Sequence, residues 1–317
     1  MTAVSNSTHE GSLIHIALPY HGDEEFIGGI VSFLEAGFEA DEPALVFAPT
    51  ANLDLVRAEL NGSTSAVTFL DATGLARNPA RIIPEALRFT DQYSGRRVRI
   101  VGQGIWPGRS GAELREFVRH EALVNVLFAD VAAMILCPYD AVGLDASVVA
   151  DAGRTHSHVI MDGAVRHSPL YVDPLVTLSV SAGFPAPPEN ADRFGFGHGD
   201  SGALRRFVLD RANRFGLGGE RARDLMLAVS EATSNTVAHT EHGGTLLMWS
   251  DAEAVICEVS DRGHIVVAHL VGRRTPPTDS PRGRGIWIMN QVCDLVQLHS
   301  DETGTVIRMH VSLDRPE

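Results

Sequence analysis

The sequence predicts two α/β domains: a mostly parallel sheet with helices on both faces, followed by a smaller α/β sandwich. Strands alternate with helical patterns through the first half, which is typical of βα units. A chain of 317 residues is long for one hydrophobic core, so two domains are expected. Residues 181–201 are rich in Pro, Gly and polar side chains, as linkers are. We therefore expect domains over 12–178 and 202–313, joined by a linker at 179–201.

The elements of the first domain are predicted from apolar runs and their spacing. Residues 12–20, SLIHIALPY, are typical of a buried strand. A helix then begins at Asp23, whose charge suits a helix N-terminus, and its apolar residues recur at helical spacing over 26–38. Further strands are predicted at 44–48, 67–71, 98–102 and 133–137, and further helices at 53–60, 81–93 and 111–130.

Large polar and aromatic residues follow several of these strands, namely Tyr20, His21, Trp106 and Tyr139. Ligands of open parallel sheets bind beyond the carboxyl ends of the strands. These four residues therefore predict a sensory pocket at that edge. The alternative interpretation is that Trp106 and Tyr139 only cover the core.

Histidines and cysteines give little indication of a metal site. His156 and His158 lack a nearby third ligand in the sequence, a pattern more typical of ordinary surface or core residues. Cys137, Cys257 and Cys293 are far apart. An odd, scattered set favours reduced cytoplasmic thiols over a disulfide framework or a metal centre.

The second domain is predicted to contain two helices, a sheet and a third helix. The first two helices are expected at 202–215 and 220–239. Strands are expected at 245–250, 254–261 and 265–270, followed by a Pro-rich loop over 272–284. A helix at 286–294 and strands at 295–300 and 305–312 complete the sandwich.

Composition and charge exclude several classes of protein. With 44% hydrophobic and 21% charged residues, the chain is typical of a globular protein. No apolar run approaches the ~18 residues of a membrane span, and the N-terminus lacks the pattern of a signal peptide. Residues 1–200 contain 25 Asp and Glu against 13 Arg, a net charge of −12, whereas residues 201–317 carry −2. The acidic first half argues against direct binding of nucleic acid.

The sequence contains no lysine, so all its 26 Lys-plus-Arg residues are Arg. This excludes a phosphate-binding loop of the Gly-Lys-Ser/Thr type, which needs its lysine. It also excludes Schiff-base chemistry. Any nucleotide site must therefore be built from other groups.

Short stretches of the second domain carry the groups that such a site needs. Glu231 and Asn235, in LAVSEATSNTVAH, are four residues apart and share one helix face. Asn235 offers an oxygen to a metal near the phosphates, and Glu231 a base or orienting group one turn away. Asp261, at a predicted strand end, is an acceptor for the exocyclic amine of adenine.

Glycines and arginines complete this predicted ATP site. Gly283 and Gly285 precede the predicted helix at 286, where backbone N–H groups at a helix start suit phosphate. Arg282 and Arg284 add positive charge, either as phosphate contacts or on a solvated lid.

Fragments of the first domain resemble the MEDS sensory domain family over about residues 12–175. They are HIALPY, DEEF, FLEAGFEADEPALVF, RVRIVGQGIW, HEALVNVLF, ILCPYD and RTHSHVIMDG, in that order. The resemblance implies a RecA-like core that lacks a P-loop and senses a small molecule. Family members often carry a cysteine two residues after the first-strand histidine. Here that position is Ala17, so no role of that cysteine is transferred.

The second domain resembles the GHKL ATPase family, and its short form is most similar to the RsbW-type anti-sigma serine kinases. LAVSEATSNTVAH matches the N-box, the DRG at 261–263 and the GRG at 283–285 match the two glycine boxes, and GTVIRM matches the segment with the adenine-pocket threonine. The resemblance implies an α/β sandwich of the GHKL (Bergerat) type. It implies Glu231 as the catalytic residue, Mg²⁺ on Asn235, and ATP contacts from Asn235, Asp261, Gly263, Arg282, Gly283, Arg284, Gly285 and Thr305.

The combined resemblance implies a homodimeric anti-sigma factor with serine/threonine kinase activity and a fused sensor. Its expected partners are a stress-type sigma factor and an anti-anti-sigma (STAS-type) antagonist, without a membrane. Two alternatives remain open. One is a non-catalytic ATP-binding partner-switching regulator. The other is a sensor histidine kinase, which needs a dimerisation helix carrying a histidine where this chain is short and Pro/Gly-rich, with His198 in FGHGD.

Overall fold

The structure, a computed structural model, describes residues 12–60, 63–179, 184–277 and 283–313. The chain divides into two compact units, Met1–Val180 and Ser181–Glu317. Among the described residues, no helix combines the length and the apolar character needed to cross a bilayer.

The first unit is built around a seven-stranded sheet in the order β3-β2-β4-β5-β1-β6-β7. Adjacent strands of this sheet pair in parallel, except that β7 runs antiparallel to β6. The strands are β1 (Ile14–Tyr20), β2 (Ala44–Ala48), β3 (Val67–Asp71), β4 (Val98–Gly102), β5 (Ala133–Asp140), β6 (His158–Met161) and β7 (Ala164–His167). The helices are α1 (Asp23–Glu39), α2 (Thr50–Glu59), α3 (Ala72–Leu75), α4 (Ile82–Gln92), α5 (Gly111–Leu127), α6 (Ala146–Thr155) and α7 (Pro174–Ser179).

The adjacent strands β1 and β5 sort their side chains onto two faces of this sheet. Their parallel register pairs His15 with Ile135, Ala17 with Cys137, and Pro19 with Tyr139. Because side chains alternate along a strand, His15, Cys137 and Tyr139 share one face. The other face of β1 carries apolar side chains that pack with α1 and β2 in one core cluster.

Most elements predicted for this unit are confirmed. β2, β3 and β4 have the predicted bounds, and α1, α2, α4 and α5 agree with their predictions to within three residues where bounds were given. β5 continues to Asp140, beyond the predicted end at 137, so Tyr139 lies within the strand. The elements α3, α6, β6, β7 and α7 were not predicted; α3, β6, β7 and α7 have only four to six residues each.

The second unit is an antiparallel sheet in the order β11-β12-β10-β9-β8, with helices on one face. Its elements are β8 (Asp192–Phe196), α8 (Ser201–Arg214), α9 (Gly219–His239), β9 (Gly244–Ser250), β10 (Ala254–Asp261), α10 (Gly285–Val292), β11 (Leu295–Asp301) and β12 (Gly304–Ser312). The helices bury Val208, Leu225, Val229 and Met289 completely against the sheet.

Two predictions for this part of the chain were wrong. The apolar run at 265–270 has strand propensity, but it forms a short 3₁₀ turn at Ala268–Leu270, and Val266 is 83% exposed. The predicted linker contains β8, which pairs with β9 along its whole length. Gly195 and the neighbouring Pro and Gly residues hid this edge strand, because such residues are rare in strand interiors.

Candidate functional site

A cavity of about 470 Å³ opens in the second unit between α9, the end of β10 and the start of α10. Its volume lies within the range of small-molecule and cofactor sites. Its lining includes Asn235, Thr236, His239, Asp261, Gly263, Gly283, Gly285, Ile286 and Thr305. The fold therefore brings the separate sequence stretches of the predicted ATP site to one place. Arg282 lies outside the described residues.

The Asp261 carboxylate is held at one end of this cavity by two hydrogen bonds. Thr236 Oγ1 donates to Oδ2 at 2.6 Å, and the Gly263 backbone N–H donates to Oδ1 at 2.7 Å. Each oxygen keeps a further lone pair for a ligand. An acceptor held in place in this way suits an exocyclic amine.

Thr305 lies across the sheet from Asp261, because the two are register partners of β10 and β12. Its hydroxyl donates to the Gly263 carbonyl at 2.8 Å and lies 2.7 Å from Ser300 Oγ. Thr305 is buried at 4% exposure. It therefore links the glycine turn after β10 to β12 and forms part of the cavity wall.

Glu231 and Asn235 of α9 lie against Gly285, the first residue of α10, and Asn235 and Gly285 line the cavity. A Cβ atom at Gly285 would lie 2.9 Å from Asn235 Nδ2 and 3.1 Å from Glu231 Oε2. Only glycine allows the backbone to approach these two groups so closely. Neither the Glu231 carboxylate nor the Asn235 amide hydrogen-bonds to another described side chain. Both are therefore available to a ligand.

The N-terminus of α10 borders this region, because Gly283 and Gly285 line the cavity. Arg284 is its N-cap residue and makes no side-chain cap, so no side chain occupies the first-turn donors. Gly283, just before, has φ +80°, which favours glycine. Arg284 Nη2 donates to the Pro277 carbonyl at 2.9 Å, which ties the helix start to the loop before it. An uncapped helix N-terminus is a ready anion site.

Several residues that the sequence analysis did not assign also line the cavity. Among them are Ile265, which lies in the segment mistaken for a strand, and His264 and Val271, which flank that segment. His239, the last residue of α9, also lines the cavity. The apolar pair Ile265 and Val271 supplies the kind of surface on which a flat base packs.

Comparison with known proteins agrees with this geometry. Residues 14–157 match the family model of the methanogen/methylotroph DcmR sensory domain, MEDS. Residues 200–311 match the model of the histidine kinase-like ATPase domain. The chain joins a MEDS domain to a histidine kinase-like ATPase domain. Both family assignments predicted from the sequence are confirmed, as is the GHKL type of the second fold.

A curated relative of the ATPase domain is the serine-protein kinase RsbW of Halalkalibacterium halodurans. The two are 29% identical over 129 residues, which span 37% of this chain and 78% of that protein. The similarity places the ATPase domain near the RsbW-like kinases. Membership of the GHKL superfamily implies that the domain binds ATP.

The four residues predicted to form a sensory pocket in the MEDS domain are not brought together. Tyr20 and Tyr139 lie one register step apart on β1 and β5 and so point to opposite faces. His21 is exposed and pairs with Glu25. The Arg109 guanidinium stacks over the Trp106 ring, with Arg109 Cζ 3.7 Å from the ring centre. Successive side chains along a strand point to opposite faces, so a difference of one register position separates Tyr20 from Tyr139.

The MEDS domain instead contains a buried polar cluster on the face that Tyr139 shares. Four side chains of this cluster place one ligand atom each within 4.8 Å of all the others: His15, Glu121, Cys137 and His156. In the sequence alone, His156 lacks a nearby third ligand and Cys137 is one of three scattered thiols. The four lie on β1, α5, β5 and the end of α6, so only the tertiary structure joins them.

Burial sets the protonation of this cluster. Burial lowers the pKa of His15 and of His156 to about 3, so both imidazoles are neutral at pH 7. Burial, with the neighbouring Glu121 charge, raises the pKa of the Cys137 thiol and of the Tyr139 phenol well above their usual values. Without a bound cation, the thiol and phenol therefore keep their protons.

Proposed function

We propose that this protein is an anti-sigma factor with ATP-dependent serine/threonine kinase activity, controlled by its MEDS domain. It sequesters a stress-type sigma factor and phosphorylates an anti-anti-sigma (STAS-type) antagonist. The observation that carries the proposal is that Asn235, Gly285 and Asp261 line one nucleotide-sized cavity, while Glu231 lies beside Gly285.

The residues of the cavity fit ATP and Mg²⁺. Mg²⁺ prefers oxygen ligands, and Asn235 offers a side-chain oxygen without another described partner. When bound, the ion neutralises charge on the phosphates during phosphoryl transfer. The uncapped start of α10 and the absence of a side chain at Gly285 leave backbone donors for phosphate oxygens. Asp261 receives the exocyclic amine of adenine.

Glu231 is the residue that we assign to catalysis. It lies one helical turn before Asn235 and beside Gly285, so its carboxylate stands next to the groups that hold the phosphates. A carboxylate there orients the attacking hydroxyl and accepts its proton. Phosphorylation adds charge of about −1.5 to −2 to the antagonist. That charge expels the antagonist from an interface and leaves this protein free to bind the sigma factor.

The serine/threonine assignment is supported by the similarity to RsbW, whose name states that it is a serine-protein kinase. The histidine-kinase alternative is disfavoured by the residues before α8. That segment forms β8 rather than a dimerisation helix, and His198 lies exposed in the following turn.

A pull-down from the host cell in ATP and Mg²⁺ tests this function. Mass spectrometry of the bound proteins is expected to find a sigma factor and an antagonist with a phosphorylated serine or threonine. Binding of both partners without ATP-dependent phosphorylation would instead support the non-catalytic regulator. Recovery of neither partner would overturn the proposal.

A further inference from the structure

We propose that His15, Glu121, Cys137 and His156 bind a divalent transition-metal ion inside the MEDS domain, and that Zn²⁺ suits their donor set best. This inference concerns the MEDS domain alone and does not depend on the kinase activity. All four side chains are buried, with exposures of 0% for the histidines and 5% for Glu121 and Cys137.

Four of the six distances between the ligand atoms match those around a tetrahedral ion, and all six are within 4.8 Å. His15 Nε2 lies 3.3 Å from Glu121 Oε2, and His156 Nε2 lies 3.6 Å from the same oxygen. Cys137 Sγ lies 3.5 Å from His15 Nε2 and 3.7 Å from Glu121 Oε2. Bonds of ~2.0–2.3 Å to a tetrahedral Zn²⁺ separate its ligand atoms by roughly 3.3–3.7 Å.

Neighbouring groups fix the direction of both imidazoles. The Asn125 amide nitrogen donates to the carbonyls of Glu121 and Thr155 at 2.9 Å and 2.7 Å. Its oxygen must therefore accept, and it lies 3.2 Å from His15 Nδ1. His156 Nδ1 lies 2.8 Å from the Ala152 carbonyl, which only accepts. Both Nδ1 atoms thus carry hydrogen, and both Nε2 lone pairs face Glu121. Outer hydrogen bonds of this kind are what orient metal-binding histidines.

The described side chains supply too few hydrogen-bond donors for the acceptors of this cluster. Two Nε2 lone pairs and the Glu121 carboxylate are all acceptors. The donors facing them are the Cys137 thiol and the Tyr139 hydroxyl, and the latter is bound to the other Glu121 oxygen at 3.2 Å. His156 Nε2 is left without a hydrogen-bond partner. A cation at the centre of the four atoms supplies what is lacking.

The charges also balance for a divalent ion. Metal binding removes the Cys137 proton to solvent and leaves a thiolate. One thiolate, one carboxylate and two neutral imidazoles carry −2, which a divalent cation cancels. A neutral assembly avoids the large cost of burying net charge. Mixed nitrogen, sulfur and oxygen donors at tetrahedral spacing favour Zn²⁺ over Mg²⁺ or Ca²⁺.

A cavity of about 40 Å³ adjoins the cluster and gives space beside the ion. Glu121 and Cys137 form part of its wall, together with apolar side chains such as Phe117 and Val124. A small space of this kind lets the carboxylate and thiolate adjust when the ion enters.

Metal uptake by the untagged full chain tests the proposal. The chain is stripped with a chelator, titrated with Zn²⁺ or Co²⁺, and analysed for bound metal. We expect one ion per chain, and for Co²⁺ a thiolate charge-transfer band with the strong visible bands of tetrahedral coordination. Cys137→Ser is expected to abolish that band and weaken binding more than about 100-fold. The control Cys257→Ala removes a buried thiol of the ATPase domain. It is expected to keep the thiolate band and the metal affinity of the wild type.

Three outcomes overturn the metal site. They are a wild-type chain that takes up no Zn²⁺ or Co²⁺, bound Co²⁺ without a thiolate band, and unchanged affinity in a folded Cys137→Ser variant. Because that variant can fail to fold, Glu121→Gln is measured beside it as a near-isosteric change. The wild-type cobalt spectrum decides whether the thiolate binds, whichever variants fold.

Discussion

Thr236 Oγ1 donates a 2.6 Å hydrogen bond to Asp261 Oδ2 and so ties the last turn of α9 to the end of β10. The Gly263 N–H holds the second carboxylate oxygen at 2.7 Å. The carboxylate that we propose as the acceptor for adenine is therefore oriented before any ligand arrives. Preorganisation of this kind lowers the entropy cost of binding.

Replacing Asp261 with Asn is expected to weaken ATP binding about 10- to 100-fold, because a hydrogen bond to a charged group contributes roughly 1.5–3 kcal/mol. The amide nitrogen would also face the Thr236 hydroxyl or the Gly263 N–H. Isothermal titration calorimetry measures the effect. Asp210→Asn, an exposed change on α8, is the control, and equal ATP affinity in the two variants would refute the role of Asp261.

A methyl group at Gly285 is expected to obstruct the phosphate end of the cavity. Its Cβ would lie 2.9 Å from Asn235 Nδ2 and 3.1 Å from Glu231 Oε2, so both side chains must move. We expect Gly285→Ala to bind ATP at least ~10-fold more weakly while the domain stays folded. Gly202→Ala, whose Cβ would meet nothing within 4 Å on α8, is the control. Normal ATP binding by Gly285→Ala would contradict this arrangement.

Arg308 and Glu258 form a buried ion pair on the sheet face opposite the helices. Arg308 Nε donates to Glu258 Oε2 at 2.9 Å, and the residues are 6% and 7% exposed. Arg308→Met leaves an unpaired buried carboxylate and is expected to cost about 3–5 kcal/mol of unfolding free energy. Urea unfolding followed by tryptophan fluorescence, in a Trp106→Phe background, reports on the ATPase domain alone. The double variant with Glu258→Leu is expected to recover part of the loss, and a single variant as stable as wild type would count against the pair.

Tyr20 gives the MEDS domain a measurable alkaline transition. Burial, followed by the nearby Asp140 charge, raises the pKa of Tyr20 from 10.0 to about 12. Between these values only the unfolded state ionises, so the contribution of Tyr20 to stability is complete below pH 10 and is lost as the pH rises to about 12.

The phenolate absorbance of wild type minus that of Tyr20→Phe isolates this group. Its midpoint is expected near 12. A midpoint near the ordinary value of 10.0 would show that the phenol is not buried in solution. The variant also removes the acceptor for Gln103 Nε2, which lies 3.3 Å from Tyr20 Oη.

The residues proposed for the ATP site come together in the structure more than those proposed for the sensory pocket, and the reason is periodicity. Glu231 and Asn235 share a face because a helix repeats every 3.6 residues. Asp261 is the last residue of β10, and Thr305 lies at the start of the neighbouring strand β12. Both strands were recognised from their alternating apolar residues. The residues that line the cavity include six of those predicted for the ATP site: Asn235, Asp261, Gly263, Gly283, Gly285 and Thr305.

The buried cluster of the MEDS domain could not be predicted in this way. His15 and Cys137 meet because β5 pairs with β1 across 122 residues of chain. Glu121 lies on α5, where a buried carboxylate resembles an ordinary surface position in sequence. Residue type alone does not distinguish such positions, since sheet order and register decide which side chains meet.

Phosphoryl transfer by Glu231→Gln, measured beside ATP affinity, tests the central claim most directly. Labelled γ-phosphate transfer to the antagonist is followed with wild type, with Glu231→Gln, and with Glu220→Gln as a control at the start of the same helix. We predict that Glu231→Gln binds ATP as wild type does but transfers phosphate at least ~100-fold more slowly, while Glu220→Gln is unaffected. Transfer by Glu231→Gln at the wild-type rate, or no transfer by wild type, would contradict the account.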